Sequence, residues 1–210
     1  MKIGIFDTGL GGEIAAERLR RYFPDAQFTV VNDRAHLPYG SKSSEEIYTL
    51  THAAISPLIG NCDVLVIACN TATAAAIDRL REEFPDQKFV GYEPMVKPAT
   101  ALSRTGRIVI LATPAMAASV RYQKLVAEYG QGVQISTPDC ATWASDIEAG
   151  NADAVNLGDI DANADVIVLA CTHYLALQDR IARAFPAAQV IEPTKAVASR
   201  IASLVSQPQQ

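Results

Sequence analysis

Two cysteines in this sequence stand where a thiol can do chemistry rather than fill a core. Asp63-Val-Leu-Val-Ile-Ala-Cys69 and Asp165-Val-Ile-Val-Leu-Ala-Cys171 share five of seven residues, the mismatches merely exchanging Leu and Ile, and Cys171 follows Cys69 by 102 residues in a chain of 210. Buried strands resemble one another in their aliphatic residues, but that does not account for the matched Asp and Cys. Each cysteine ends its apolar run and precedes residues able to cap a helix or bind a ligand, Asn70-Thr71 in one copy and Thr172-His173 in the other. A thiol at a helix N-terminus is expected to have its pKa drawn from about 8.5 toward neutrality. Nucleophilic catalysis pairs one Cys with one His base. Two matched thiols suit instead a symmetric reaction, in which a proton leaves one face of a carbon and another arrives on the opposite face. With each sulfur roughly 3–3.5 Å from that carbon they stand about 6–8 Å apart, too far for a disulfide bond of about 2 Å.

Other groups gather after the remaining apolar runs. Asp7-Thr8-Gly9-Leu10-Gly11-Gly12 follows the first, Asp33 and then Pro38-Tyr39-Gly40-Ser41 follow the second, and Thr113 with Ser119 follows the run beginning at Arg107. The glycine stretch has the composition of an anion cradle at a helix start. It matches neither G-x-x-x-x-G-K-[ST] nor G-x-G-x-x-G, so a tight strand-to-helix turn is an equal reading. Cys62 and Cys140 carry no motif and read as structural. No Cys pair has C-x-x-C spacing, which argues against zinc and thioredoxin chemistry.

These residues need a scaffold that brings strand ends together, and the periodicity supplies one. Strands are predicted at Lys2–Phe6, Gln27–Asn32, Val64–Ala68, Lys88–Gly91, Arg107–Ala112, Gln134–Ser136, Val166–Ala170 and Gln189–Ile191. Helices are predicted near Gly12–Tyr22, Ser44–Ile59, Thr71–Glu83, Pro94–Ser103, Ala115–Tyr129, Leu175–Phe185 and Thr194–Val205. The alternation predicts an α/β protein of mostly parallel sheets covered by helices, with ligands at the carboxyl ends of the strands. The half-length repeat predicts two pseudo-symmetric, doubly wound domains facing across a cleft. Residues 1–94 with 187–210 form the first, carrying Cys69, and 95–186 the second, carrying Cys171; the chain crosses near Tyr92–Pro98 and returns near Pro186–Pro193.

Composition agrees. Forty-nine per cent hydrophobic and 20% charged residues support a real core. Eighteen basic against 23 acidic residues, with no basic cluster, argue against nucleic acid as partner. No apolar stretch nears the roughly 20 residues a membrane span needs. Met1 runs directly into a strand without a signal-peptide core, so a cytoplasmic location is expected.

In seven segments the chain resembles the cofactor-independent aspartate/glutamate racemase superfamily. They are Phe6-Asp-Thr-Gly-Leu-Gly-Gly12, Pro38-Tyr-Gly40, Ala68-Cys-Asn-Thr-Ala72, Glu93-Pro94, Leu111-Ala-Thr113 with Ser119, Ile147-Glu-Ala-Gly150 and Cys171-Thr-His-Tyr174, in order over almost the whole chain. The resemblance implies racemisation of glutamate by Cys69 and Cys171, with Asp7 assisting the first and His173 and Glu148 the second. It implies substrate binding by Asp7, Thr8, Tyr39, Gly40, Asn70, Thr71, Thr172 and His173; the chemistry of a developing carbanion adds Thr113 as a donor. It further implies no cofactor, no metal, D-glutamate supply for peptidoglycan, and a homodimer. Aspartate or another acidic amino acid is the alternative substrate, and a non-catalytic amino-acid binder the alternative class. The chain departs from the family pattern in a shorter segment between Tyr129 and Asp165, in Thr8 for Ser, in Leu175 for Pro, and in Glu13 for an apolar residue.

Overall fold

A computed structural model describes residues 1–206. It contains two four-stranded sheets, every pairing parallel. The first sheet has the order β2-β1-β3-β4 and the second β6-β5-β7-β8. The strands are β1 (Lys2–Asp7), β2 (Gln27–Asn32), β3 (Val64–Ile67), β4 (Phe89–Gly91), β5 (Arg107–Ala112), β6 (Gln134–Ser136), β7 (Val166–Ala170) and β8 (Gln189–Ile191). The two orders are the same when counted within each half, which is what a duplicated unit produces. Even the matched aspartates act alike: the N–H groups of Asp63 and Asp165 donate to the carbonyls of Lys2 and Arg107, and each carboxylate accepts backbone N–H groups at its end of the sheet.

The helices are α1 (Leu10–Arg20), α2 (Ser44–Ile55), α3 (Asn70–Glu83), α4 (Val96–Leu102), α5 (Pro114–Ala118), α6 (Val120–Tyr129), α7 (Trp143–Glu148), α8 (Gln178–Ala184) and α9 (Thr194–Val205). They cover both faces of each sheet. Ala15, Ala16 and Leu19 of α1 and Val197, Ala198 and Ile201 of α9 bury Ile3, Ile5 and Val66 on one face of the first sheet. Ile47 and Ile55 of α2 with Ala76, Ile77 and Leu80 of α3 bury Phe6, Leu65 and Ile67 on the other. Because β3 and β7 are covered on both sides they read as continuous aliphatic runs rather than alternating ones.

Three expectations change. The predicted helix 115–129 is two, because the Ser119 hydroxyl accepts from the Tyr122 N–H and starts α6 afresh. The predicted helix 175–185 begins as a 3-10 turn at His173–Leu177 and becomes α-helical at Gln178. The boundary at 187 is too early: β8 hydrogen-bonds to β7 in the second sheet, and the return to the first sheet is made by α9, after Pro193. Residues 207–210 of that expected domain lie outside the described residues.

Candidate active site

In a parallel sheet the crevice opens where the chain order reverses. Here that is between β1 and β3 in the first sheet and between β5 and β7 in the second. Their carboxyl ends carry Asp7, Thr8 and Cys69 on one side and Thr113, Cys171 and Thr172 on the other. Both sets meet at one cavity of about 360 Å³, whose wall includes Thr8, Tyr39, Gly40, Cys69, Asn70, Thr71, Thr113, Cys171, Thr172 and His173. A larger groove of about 590 Å³ between α3, α4 and α6 contains neither thiol.

Each sulfur packs against the core of its own half and turns its remaining 7% exposure to the shared cavity. Cys69 caps α3: its Sγ accepts from the Ala72 N–H at 3.4 Å, with the Thr8 hydroxyl at 4.0 Å. Cys171 Sγ lies 3.9 Å from His173 Nδ1, and His173 Nε2 lies 2.8 Å from Glu148 Oε2. That Glu148 oxygen also accepts the Leu10 N–H of α1 at 2.8 Å, and Arg34 Nε stands 3.4 Å from Oε1. Asp7 is fully buried; its Oδ2 accepts the Gly9 N–H at 3.0 Å and its Oδ1 accepts the Thr172 hydroxyl at 2.8 Å. Thr71 and Thr113 share a 2.9 Å hydroxyl–hydroxyl bond across the cleft. The five residues expected to assist or perform proton transfer fall in three bonded groups: Cys171–His173–Glu148, Asp7 with Thr172 of the other half, and Cys69 with Thr8 and Ala72.

The electrostatics overturn one expectation. Burial pushes the Cys69 thiol up to about 12, reinforced by the Asp7 charge and only partly opposed by the helix amides. Burial and the neighbouring Cys69 likewise push Cys171 up. The helix dipole thus does not draw these thiols toward neutrality, because desolvation of a thiolate outweighs it. Burial also raises Asp7, against the opposing pull of His173. Burial works on Glu148 in the same sense, but the Leu10 N–H, His173 and Arg34 together hold it below the usual carboxylate range.

The glycine stretch is not an anion cradle. The N–H groups of Gly9 and Leu10 are taken by Asp7 and Glu148. A Cβ on Gly9 would meet Glu148 and His173, and one on Gly11 would run into Thr172. Glycine is needed here so that the second half can close against the first. Glu13 is exposed and accepts from Asn32 Nδ2, so it does not face the cleft. Leu175 keeps an N–H that donates to Thr172 O, and its carbonyl accepts from Arg18 of α1.

Pro38 and Ser41, singled out in sequence without a substrate role, also wall the cavity, whereas sequence reasoning missed Leu37, Pro114, Ala141, Ala144 and Ser145. Leu37 and Pro114 adjoin motif residues, which was the available signal. The last three belong to the segment around α7, a six-residue helix too short for a periodic signal. Among the described residues no group of three or more His, Cys, Asp or Glu is arranged to hold a metal ion, and no helix is long and apolar enough to cross a membrane.

Residues 14–201 match the Asp/Glu/Hydantoin racemase family. The chain belongs to this family. It is 37% identical to a glutamate racemase of Roseiflexus sp. (strain RS-1) over 98% of its own length and 79% of that protein's. Escherichia coli glutamate racemase, solved with L-glutamate and the activator UDP-MurNAc-Ala, superposes with a TM-score of 0.88 at 26% identity, covering 100% of this chain and 84% of that one. Glutamate racemase of Francisella tularensis, solved with D-glutamate, gives 0.80 at 25% identity, covering 97% and 80%.

Proposed function

We propose that this family member interconverts L- and D-glutamate, with Cys69 and Cys171 as the two acid/base groups. The observation that carries the reading is that two thiols, from equivalent strand ends of a duplicated fold, wall one cavity. In one direction a thiolate takes the Cα proton while the opposite thiol gives its proton to the other face of the carbanion. The sulfurs end with exchanged protonation, so the reverse direction uses the same pair with roles swapped.

The surroundings support this chemistry. Among the described residues no Lys or Arg walls the cavity; the Thr8 hydroxyl, the proton left free by the Thr71–Thr113 pair and the N-terminus of α3 provide donors for the substrate carboxylates. Among the described residues Asn70 Oδ1 is buried with no hydrogen-bond partner while its Nδ2 is committed to Tyr92 O, which suits an acceptor for a substrate ammonium. Since burial disfavours both thiolates, bound substrate must help create one, and the Asp7 and Glu148–His173 networks are placed to move the compensating proton. On this reading residues 1–94 with α9 form one domain and 95–191 the other. The enzyme needs no pyridoxal phosphate, and it works in the cytoplasm as a homodimer supplying D-glutamate for peptidoglycan. Chiral chromatography of incubations with L-glutamate and L-aspartate tests it: D-glutamate forms, and Cys69→Ala or Cys171→Ala prevents this. Turnover of aspartate alone, or full activity in either variant, contradicts it.

A further inference from the structure

We propose that Asp33 is a positioning residue for this reaction, holding Tyr39 and with it the 37–41 loop that walls the cavity. The inference rests on the racemase reading of that cavity.

Asp33 follows β2 directly, and its N–H donates to the Asp7 carbonyl at 3.0 Å, which fixes it to the strand end that carries Asp7. Its side chain is 12% exposed. Oδ2 accepts the Tyr39 hydroxyl at 2.7 Å, and His36 Nδ1 stands 2.7 Å from Oδ1 and 2.9 Å from Oδ2. Tyr39 is 2% exposed, with its ring 6.4 Å from that of Phe6, and Thr51 approaches the same hydroxyl. Leu37 through Ser41 all wall the cavity, and Gly40 lies against Thr113 of the other half. The bonds from Leu37 N–H to Arg34 O, Lys42 N–H to Tyr39 O and Ser41 Oγ to Pro38 O run within the loop and do not tie it to the sheet. The Tyr39–Asp33 bond does, together with the His36 contacts to the same carboxylate. Both thiols sit on β3 and β7 ends, so loosening the loop weakens substrate binding more than it disturbs proton transfer.

The test compares Asp33→Ala, Tyr39→Phe, the double variant and Asp33→Asn by glutamate racemisation and by alkylation of Cys69 in the absence of substrate. Asp33→Ala and Tyr39→Phe each raise KM about tenfold, the size of one lost hydrogen bond to a charged group, with kcat within about twofold. The double variant is no worse than Asp33→Ala, since that change already cuts the Tyr39 bond along with the His36 contacts. Asp33→Asn keeps an acceptor for the hydroxyl and stays within about threefold of the parent. Alkylation of Cys69 quickens in Asp33→Ala and Tyr39→Phe but not in Asp33→Asn, a readout independent of turnover. Additive effects, an unchanged KM with lowered kcat, or unchanged alkylation overturn the proposal. If Asp33→Ala fails to fold, Tyr39→Phe alone reads the bond. A parent protein that does not racemise glutamate counts against the function, and the alkylation arm still decides the role of Asp33.

Discussion

Gly11→Ala separates the cleft from the cores. Gly11 is the second residue of α1, where alanine improves helix propensity by about 1 kcal/mol. Considered as a helix residue, the variant gains stability. A Cβ there would overlap Thr172 Oγ1, stand 2.5 Å from Thr172 Cβ and 3.0 Å from Asp7 Oδ2, where ordinary contact begins at 3.4 Å. Thr172 Cβ is fixed to its backbone, so relief requires the end of β7 to retreat by about 1 Å, taking Cys171 with it. The 2.8 Å bond from Thr172 to Asp7 is lost in the process. A misplacement of about 1 Å costs about 10²-fold in rate. Overpacking of about 1–3 kcal/mol, less the helix gain of about 1 kcal/mol and with about 1 kcal/mol for the lost Thr172–Asp7 bond, lowers Tm by up to about 10 °C. Circular dichroism follows both quantities, as the ellipticity of glutamate and as a thermal melt. The expected result is kcat lower by about 10²-fold with a Tm drop of no more than about 10 °C. A kcat within threefold of the parent refutes the reasoning, and so does an activity loss explained by a collapse in Tm.

Burial raises Asp7 above the ordinary aspartate value of 3.8, so its stabilising contribution is full below that pH and is lost as pH rises through the raised value. Asp7→Asn, whose amide can still pair with Gly9 N–H and Thr172, is therefore expected to raise Tm at pH 8 while lowering racemisation about 10²-fold; a lower Tm at pH 8 argues against this. Glu148→Gln keeps an acceptor for Leu10 N–H but removes the charge beside His173, and kcat/KM falls about 10²-fold, equally in both directions because the enantiomers are isoenergetic; polarimetry showing less than a threefold change counts against the network. With Cys69 pushed up to about 12, its alkylation by iodoacetamide, followed by peptide mass spectrometry, rises about tenfold per pH unit from 7 to 9 and is slowed by glutamate. A plateau below pH 8 contradicts the buried neutral thiol.

The eight strands were legible because fully buried parallel strands are uninterrupted aliphatic runs bounded by turn residues, as Val64–Ile67 and Val166–Ala170 show. The repeat around Cys69 and Cys171 was visible for the same reason, and it led to both ends of the cleft. What the periodicity did not reveal depends on contacts between halves. The glycines at 9 and 11 look like an anion loop until the side chains of Glu148, His173 and Thr172 are seen standing where their Cβ atoms would be. Glu148 is tied to Cys171 in sequence by resemblance alone, and its bonds to Leu10 and His173 supply the physical reason. The thiol pKa direction was misjudged because a helix start is readable from sequence, whereas the depth at which it is buried is not.

Two thiols acting from opposite faces make a labelling prediction that a single base does not. With glutamate of one configuration in deuterium oxide and brief reaction, deuterium at Cα accumulates in the inverted product while recovered substrate stays protiated. A base that works from one side only would label both pools alike, and that result, or inversion without any solvent deuterium, would contradict the paired roles of Cys69 and Cys171.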